Sequence, residues 1–157
     1  MSDNTAPWIS RAEAGNWSRV ASIVHPTGTE RIKQQIDAYQ GVNENSTASR
    51  YLSMLVTIIR AAEASNAHYH LEHESALYCV SGRAQMFYGD QLEHDMQVQA
   101  GDFIYIPPFC PHKTFSQSHT DDAVFVTART DSLEQERVVP TPELDDGRCD
   151  ARVVWAD

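Results

Sequence analysis

From Tyr51 onward the chain is a succession of short apolar runs, each stopped within a few residues by glycine, proline, asparagine or aspartate. In Y-L-S-M-L-V-T-I-I the period is two. Leu52, Met54, Val56 and Ile58 fall on one face, and Tyr51, Ser53, Leu55 and Thr57 on the other, as side chains along a strand must. Further strands are expected at residues 77–80, 83–88, 96–98, 103–106, 112–115 and 123–130. Many short strands with almost no helical periodicity between them can bury their apolar faces only as a sandwich or a barrel. The fold class expected is therefore all-β.

The flanks are less regular. Residues 1–17 read as a loosely ordered lead-in, with Trp8 and Trp17 as anchors, and residues 19–25 as a short strand. Pro26-Thr27-Gly28 is a turn signal. Residues 29–39 carry Ile32, Ile36 and Tyr39 at helical spacing, so a short helix is expected there, with an extended dimer-forming segment as its rival. Residues 41–49 are polar and read as a loop. In the charged tail, Val138-Val139 and Val153-Val154-Trp155 are candidate edge strands. No repeat or second domain is visible. The organisation expected is an N-terminal extension (1–50), a barrel (51–130) and a tail packed on it (131–157).

Composition excludes several classes of function. A formal net charge of −10 argues against nucleic acid as partner, because phosphates need basic surface. No apolar run approaches the roughly 18 residues of a membrane helix, and the N-terminus shows no basic start followed by an apolar core. Cys79, Cys110 and Cys149 form no CxxC pair and are odd in number; a reducing cytoplasm fits best. No G-x-S-x-G elbow, phosphate-cradling glycine loop or zinc ribbon is present.

Chemistry concentrates in A-H-Y-H-L-E-H-E-S-A-L-Y-C-V-S-G, residues 67–82, where three histidines and two glutamates occupy seven positions. His68 and His70, two apart on a strand, present both imidazoles on one face, close enough to share an ion. Neutral imidazole suits zinc, iron, nickel and copper. A third partner is available in G-D-F-I-Y-I-P-P-F-C-P-H, where Pro107, Pro108 and Pro111 make a rigid corner that aims His112.

Together the two segments resemble the cupin superfamily. Its first motif has the form G-x5-H-x-H-x3–4-E-x6-G and its second G-x5-P-x-G-x2-H-x3-N; here stand His68, His70 and closing Gly82, then Gly101, Pro107 and His112 at the expected offsets. The resemblance covers residues 50–130. It implies a single-domain jelly-roll β-barrel around one divalent metal ion, Fe2+ or Zn2+ foremost, with Mn2+, Ni2+ or Cu2+ as others, held by His68, His70 and His112. It also implies a homodimer, the N-terminal extension supplying swapped strands. Asn66 precedes His68 with no glycine at the motif's start, Phe109 takes the inner glycine of the second motif, and Ser116 its asparagine.

The family's glutamate falls, counting back from Gly82, on Ser75. Glu74 is one step off, and one step along a strand turns a side chain to the other face. Three readings stay open: a bare three-histidine site, a bulge that re-aims Glu74 as fourth ligand, or His73 curling back as a fourth imidazole. Glu74 and His73 are candidates for moving a proton beside the ion, and, if none of them binds metal, one of Glu72, His73 and Glu74 for orienting a ligand imidazole. Cys79 should share the inward face of Ser75; Tyr78 is assigned to core packing, Tyr105 to core packing with a place in the pocket as the alternative, and His25, His94 and His119 to the surface. Without a carboxylate the ion keeps its full charge and favours an anionic or enolisable ligand. The function expected is a metal-dependent enzyme on a small chelating carbonyl or phenolic substrate, a non-haem dioxygenase first. A redox-neutral zinc-type cyclase, isomerase or lyase and a non-catalytic ligand-binding cupin are the alternatives.

Overall fold

The computed structural model describes residues 21–157. The expected strand at 19–25 falls partly, and Trp8 and Trp17 wholly, outside that range; residues 21–25 are not in a strand. Among the described residues the strands are β1 (Glu30–Arg31), β2 (Asp37–Val42), β3 (Ser53–Ile59), β4 (His68–His70), β5 (Ser75–Ser81), β6 (Arg83–Tyr88), β7 (His94–Gln99), β8 (Phe103–Ile106), β9 (His112–Ser116), β10 (Ala123–Arg129) and β11 (Val138–Pro140). They form two antiparallel sheets. The first runs β1-β2-β3-β10-β5-β8 and the second β11-β4-β9-β6-β7. This is the expected all-β jelly roll, and every strand anticipated between residues 51 and 130 is present.

The two sheets face each other, and alternation decides what lies between them. Along β10, Ala123, Phe125, Thr127 and Arg129 are buried and the residues between them are half-exposed. Leu55, Ile59, Cys79, Met86, Val98, Ile104, Ile106 and Phe125 form the inner core. A second cluster lies on the outside of the second sheet, where Phe87, Phe115 and Leu92 are covered by Leu144 and Cys149 of the tail. Gln85 holds that tail further, accepting from Val154 N–H at 2.8 Å. The three cysteines are all free.

Several expectations need correction. Residues 29–39 are not a helix but a hairpin, β1 to β2, joined by a turn in which Gln35 has φ 59° and Ile32 N–H donates to Ile36 C=O at 3.0 Å. Ile32 and Ile36 are both buried because a tight turn, like a helix, can put residues four apart on one side. Of the rival reading, an extended dimer-forming segment, the extended conformation is what is seen: β2 pairs with β3 of its own chain and enlarges the first sheet. In the tail, Val138–Pro140 is the edge strand anticipated at 138–139, and it pairs with β4, but 153–155 form no strand. Tyr78 and Tyr105 are not core residues; both stand on the outer face of the first sheet, 39% and 59% exposed. Their chain neighbours Leu77, Ile104 and Ile106 take the inward side, Leu77 paired with Ile104. No helix among the described residues is long and apolar enough to cross a membrane.

The glycine that closes the first motif has a local reason. Gly82 has φ +82°, and a Cβ there would overlap the carbonyl oxygen of Asp122. Gly82→Ala is expected to lower stability by about 1–2 kcal/mol, read as a drop in the thermal midpoint with metal content unchanged.

Candidate metal centre

β4 carries His68 and His70 inward and Tyr69 outward, as its burial pattern shows. β9 lies beside it, and its first residue, His112, is the direct cross-strand partner of His68. The ring centroids of His68 and His112 are 4.2 Å apart, those of His68 and His70 5.0 Å, and those of His70 and His112 5.4 Å. One ring nitrogen from each lies within 4.8 Å of the other two. The three imidazoles inferred from the sequence therefore converge.

Two of the rings are held by carbonyls two residues upstream. His68 Nδ1 lies 2.7 Å from Asn66 C=O, and His112 Nδ1 lies 2.9 Å from Cys110 C=O. A carbonyl only accepts, so Nδ1 carries the proton in each neutral ring, and Nε2 is left with its lone pair, the form a metal ion requires. His70 is buried, and neither of its ring nitrogens has a hydrogen-bond partner. A buried polar side chain left unsatisfied costs about 1–3 kcal/mol, and an ion at the convergence point removes that cost. The donor set fits a divalent metal.

The electrostatics keep these rings neutral. Burial depresses the pKa of all three: His68 is held well below the ordinary histidine range, with His112 as a further cause. His70 is likewise held well below that range, by burial first and then by Arg129. His112 is pushed down to about 4 by burial, against the hydrogen bond to Cys110.

The structure also decides where the other candidates lie. Glu74 is not brought into the cluster. It is exposed, and its carboxylate accepts from Tyr105 Oη at 2.8 Å on the outer face. The strand begins without the bulge that would re-aim it, Ser75 being paired in register with Ile106 and Arg129. Glu72 is also exposed; its φ of 58° makes the turn that carries the chain back from β4 to β5. That turn places His73 inside. His73 is buried, its ring 4.8 Å from that of His70, and its Nδ1 lies 3.4 Å from Asp131, whose carboxylate also meets Arg137 at 3.3 Å. His73 thus flanks the cluster without joining the three converging nitrogens.

Ser75, in the slot expected to hold a carboxylate, accepts from Arg129 Nε at 3.3 Å. Sequence reasoning misses Arg129, although its inward parity with Phe125 and Thr127 on β10 is a usable signal. A small cavity of about 40 Å³ lies between the sheets, lined by Gln34, Thr57, Met86 and Phe125 together with His68, His112 and Arg129. Such a volume holds a few waters. Among the described residues that line it there is no carboxylate.

The second motif reaches the first through its backbone. Phe109, in the place of the motif's inner glycine, has φ +63°, and its N–H donates to His70 C=O at 2.8 Å. The conformation for which the glycine is used is retained although the side chain is not.

A family model for the cupin domain matches residues 54–129, which span β3 to β10 and all three histidines. Residues 54–129 form a cupin domain. A search of curated protein sequences finds no match. Among solved structures, this cupin resembles the polyketide cyclase RemF from Streptomyces resistomycificus at 17% identity and a TM-score of 0.63, covering 77% of this chain and 85% of that one. It resembles the formate complex of Lactobacillus farciminis oxalate decarboxylase at 14% identity and a TM-score of 0.61, covering 73% of this chain. A Bacillus subtilis oxalate decarboxylase studied for its Mn(II) centres matches at 17% and 0.61, covering 85%. The chain spans about a third of the length of the two decarboxylases, 33% and 38%. At these identities the likeness establishes the fold.

Proposed function

We propose that this cupin is a metal-dependent dioxygenase acting on a small carbonyl or phenolic compound bound as its enolate or phenolate. The observation that carries the reading is the convergence of three neutral imidazoles in a lumen where Ser75 and Arg129 stand in the carboxylate slot. His68, His70 and His112 hold one divalent ion, Fe2+ in this reading. When bound, the ion supplies Lewis acidity and a path for electrons to O2. Three neutral ligands leave its charge uncompensated, and Arg129 adds a second positive charge, so the lumen favours a substrate that has lost a proton. Arg129, oriented by Ser75, positions the anionic oxygen. The apolar wall of Met86, Ile106 and Phe125 excludes bulk water from the ion.

A second reading is a redox-neutral cyclase, isomerase or lyase with zinc. His73 favours it: a buried imidazole beside His70 and backed by Asp131 is arranged to carry a proton, as a carboxylate-oriented histidine does. Oxygen separates the two. With β-diketones and o-diphenols as probes and iron restored to metal-free protein, turnover is expected to consume O2 and to cease under anaerobic conditions. Undiminished anaerobic turnover, or activity with zinc alone, overturns the dioxygenase reading.

A further inference from the structure

We propose that Gln34, in the turn between β1 and β2, is a ligand-binding residue of the metal lumen. Its side-chain amide donates a hydrogen bond to a carbonyl or oxyanion oxygen of the molecule held at the ion. This rests on the reading that such a molecule occupies the lumen. The hairpin tip alternates as a strand does: Ile32, Gln34 and Ile36 are buried, while Lys33 and Gln35 between them are exposed. Ile32 and Ile36 belong to the inner core. Gln34 stands between them at 1% exposure and lines the same cavity as His68, His112 and Arg129. A position flanked by two buried isoleucines suits an apolar side chain, and a carboxamide there costs stability unless both its ends are used.

The polarity of that carboxamide is fixed from outside the lumen. The backbone N–H of Lys33 can only donate, and it donates to Gln135 Oε1 at 3.1 Å. Gln135 Nε2 is thereby turned toward the hairpin, where it donates to Gln34 Oε1 at 3.1 Å. The acceptor end of Gln34 is thus engaged. Its donor end, Nε2, is buried with no hydrogen-bond partner among the described residues. Turning the amide over would set two donors against each other, so the relay from Lys33 permits one orientation. The backbone of Gln34 is tied to the metal centre as well. Asn66 N–H donates to Gln34 C=O at 2.8 Å, and the same residue's C=O holds His68 Nδ1 at 2.7 Å. Gln34 and His68 are therefore positioned through one residue.

The chemistry of the wall identifies what the amide takes. Two other polar residues of the cavity are engaged by the protein: Thr57 Oγ1 meets Thr127 Oγ1 at 3.1 Å, and Ser65 Oγ accepts from Thr114 N–H at 3.0 Å. Gln34 Nε2 and the Arg129 guanidinium are both donors. The lumen therefore suits a ligand with two acceptor oxygens, as a deprotonated β-dicarbonyl or a carboxylate has. It disfavours one that turns an O–H or N–H toward Gln34, because two donors would then face each other in a buried site.

Formate, the smallest carboxylate, is the probe, with zinc-loaded, isotope-labelled full-length protein observed by NMR. Millimolar formate is expected to shift the Gln34 side-chain NH2 resonances and to slow their exchange with solvent. Gln34→Leu is expected to keep the wild-type zinc content and to raise the dissociation constant for formate at least about tenfold, as loss of a hydrogen bond to a charged group does. Gln135→Glu tests the relay. A carboxylate at position 135 accepts from Lys33 N–H and from Gln34 Nε2 alike, which draws the donor out of the lumen. The Gln34 NH2 resonances should then move before formate is added and no longer respond to it. Formate that binds the wild type without disturbing those resonances overturns the proposal. So does an unchanged dissociation constant in Gln34→Leu, or a zinc-loaded wild type that takes up no formate. If Gln34→Leu does not fold, the wild-type resonances decide. The test uses zinc and no O2, so it stands if the dioxygenase reading fails, and its own failure leaves the oxygen test untouched.

Discussion

Replacing His112 by alanine is expected to abolish metal retention, lowering affinity by well over a hundredfold and leaving elemental analysis of the purified protein near background. The reason is geometric. His112 is the only one of the three converging histidines supplied by the second motif; it faces His68 across the β4–β9 ladder and is fixed by Cys110 C=O. Changing only a residue that orients a ligand already costs about 10–100-fold in affinity, and losing the ligand itself costs more. Two imidazoles two apart on β4 cannot hold a divalent ion in a site from which carboxylates are absent among the described residues. The fold should survive, because the inner core of Leu55, Ile59, Ile104, Ile106 and Phe125 does not include His112. Glu74→Ala is the matched control. Its carboxylate is engaged outside by Tyr105, so metal content should be unchanged. Full stoichiometry in the His112 variant, or loss of metal in the Glu74 variant, refutes the ligand set.

That contrast shows which parts of the site are legible in the sequence. A period of two locates a strand and divides its residues into two faces, which suffices to pair His68 with His70 and to separate Glu74 from Ser75. The proline corner before His112 narrows the chain's directions enough to predict where that ring goes. Parity does not say which face is inward, however. On β3 the more apolar set, Met54, Val56 and Ile58, faces out, because the choice is made by β10 and β2 on either side and not by β3 alone. Arg129 escapes the sequence for a related reason. A lone arginine near a strand end usually reaches solvent; its parity with Phe125 and Thr127 hints otherwise, and its register opposite Ser75 is what settles that it turns into the lumen. The hairpin at residues 30–42 mimics a helix because two isoleucines four apart satisfy a helical period and a tight turn equally well. His73 requires a turn through a residue at positive φ, Glu72, which non-glycine residues seldom adopt and which nothing in the sequence marks.

The second large effect is on pH. Metal-free protein is expected to lose stability steeply as the pH falls from about 6.5 to 4, on the order of 3 kcal/mol from His112 alone. Burial is the main cause of each depressed imidazole, so the folded state favours the neutral ring and the unfolded state takes up protons first. Where the unfolded chain binds more protons, stability rises with pH. The contribution is therefore fully present above the unfolded value of 6.5 and is lost as pH falls through the folded value, about 4 for His112. A tenfold difference in proton affinity between the two states corresponds to about 1.4 kcal/mol. His68 and His70 act in the same direction, and three rings this close cannot all become charged in one cavity beside Arg129. The carboxylates held below their ordinary range, Asp37, Glu93, Asp146 and Asp157, lose their contribution only as pH falls through their unfolded values of about 4 and below, so they do not explain a loss between pH 6.5 and about 5. Bound metal competes with protons for the same nitrogens, so loaded protein should hold its midpoint to lower pH, and His112→Ala should flatten the metal-free profile. Thermal midpoints of chelator-treated and metal-loaded protein between pH 7.5 and 4 check both statements. A metal-free midpoint that stays level from pH 6.5 to 4.5 would show that these imidazoles are not the buried neutral groups the structure describes.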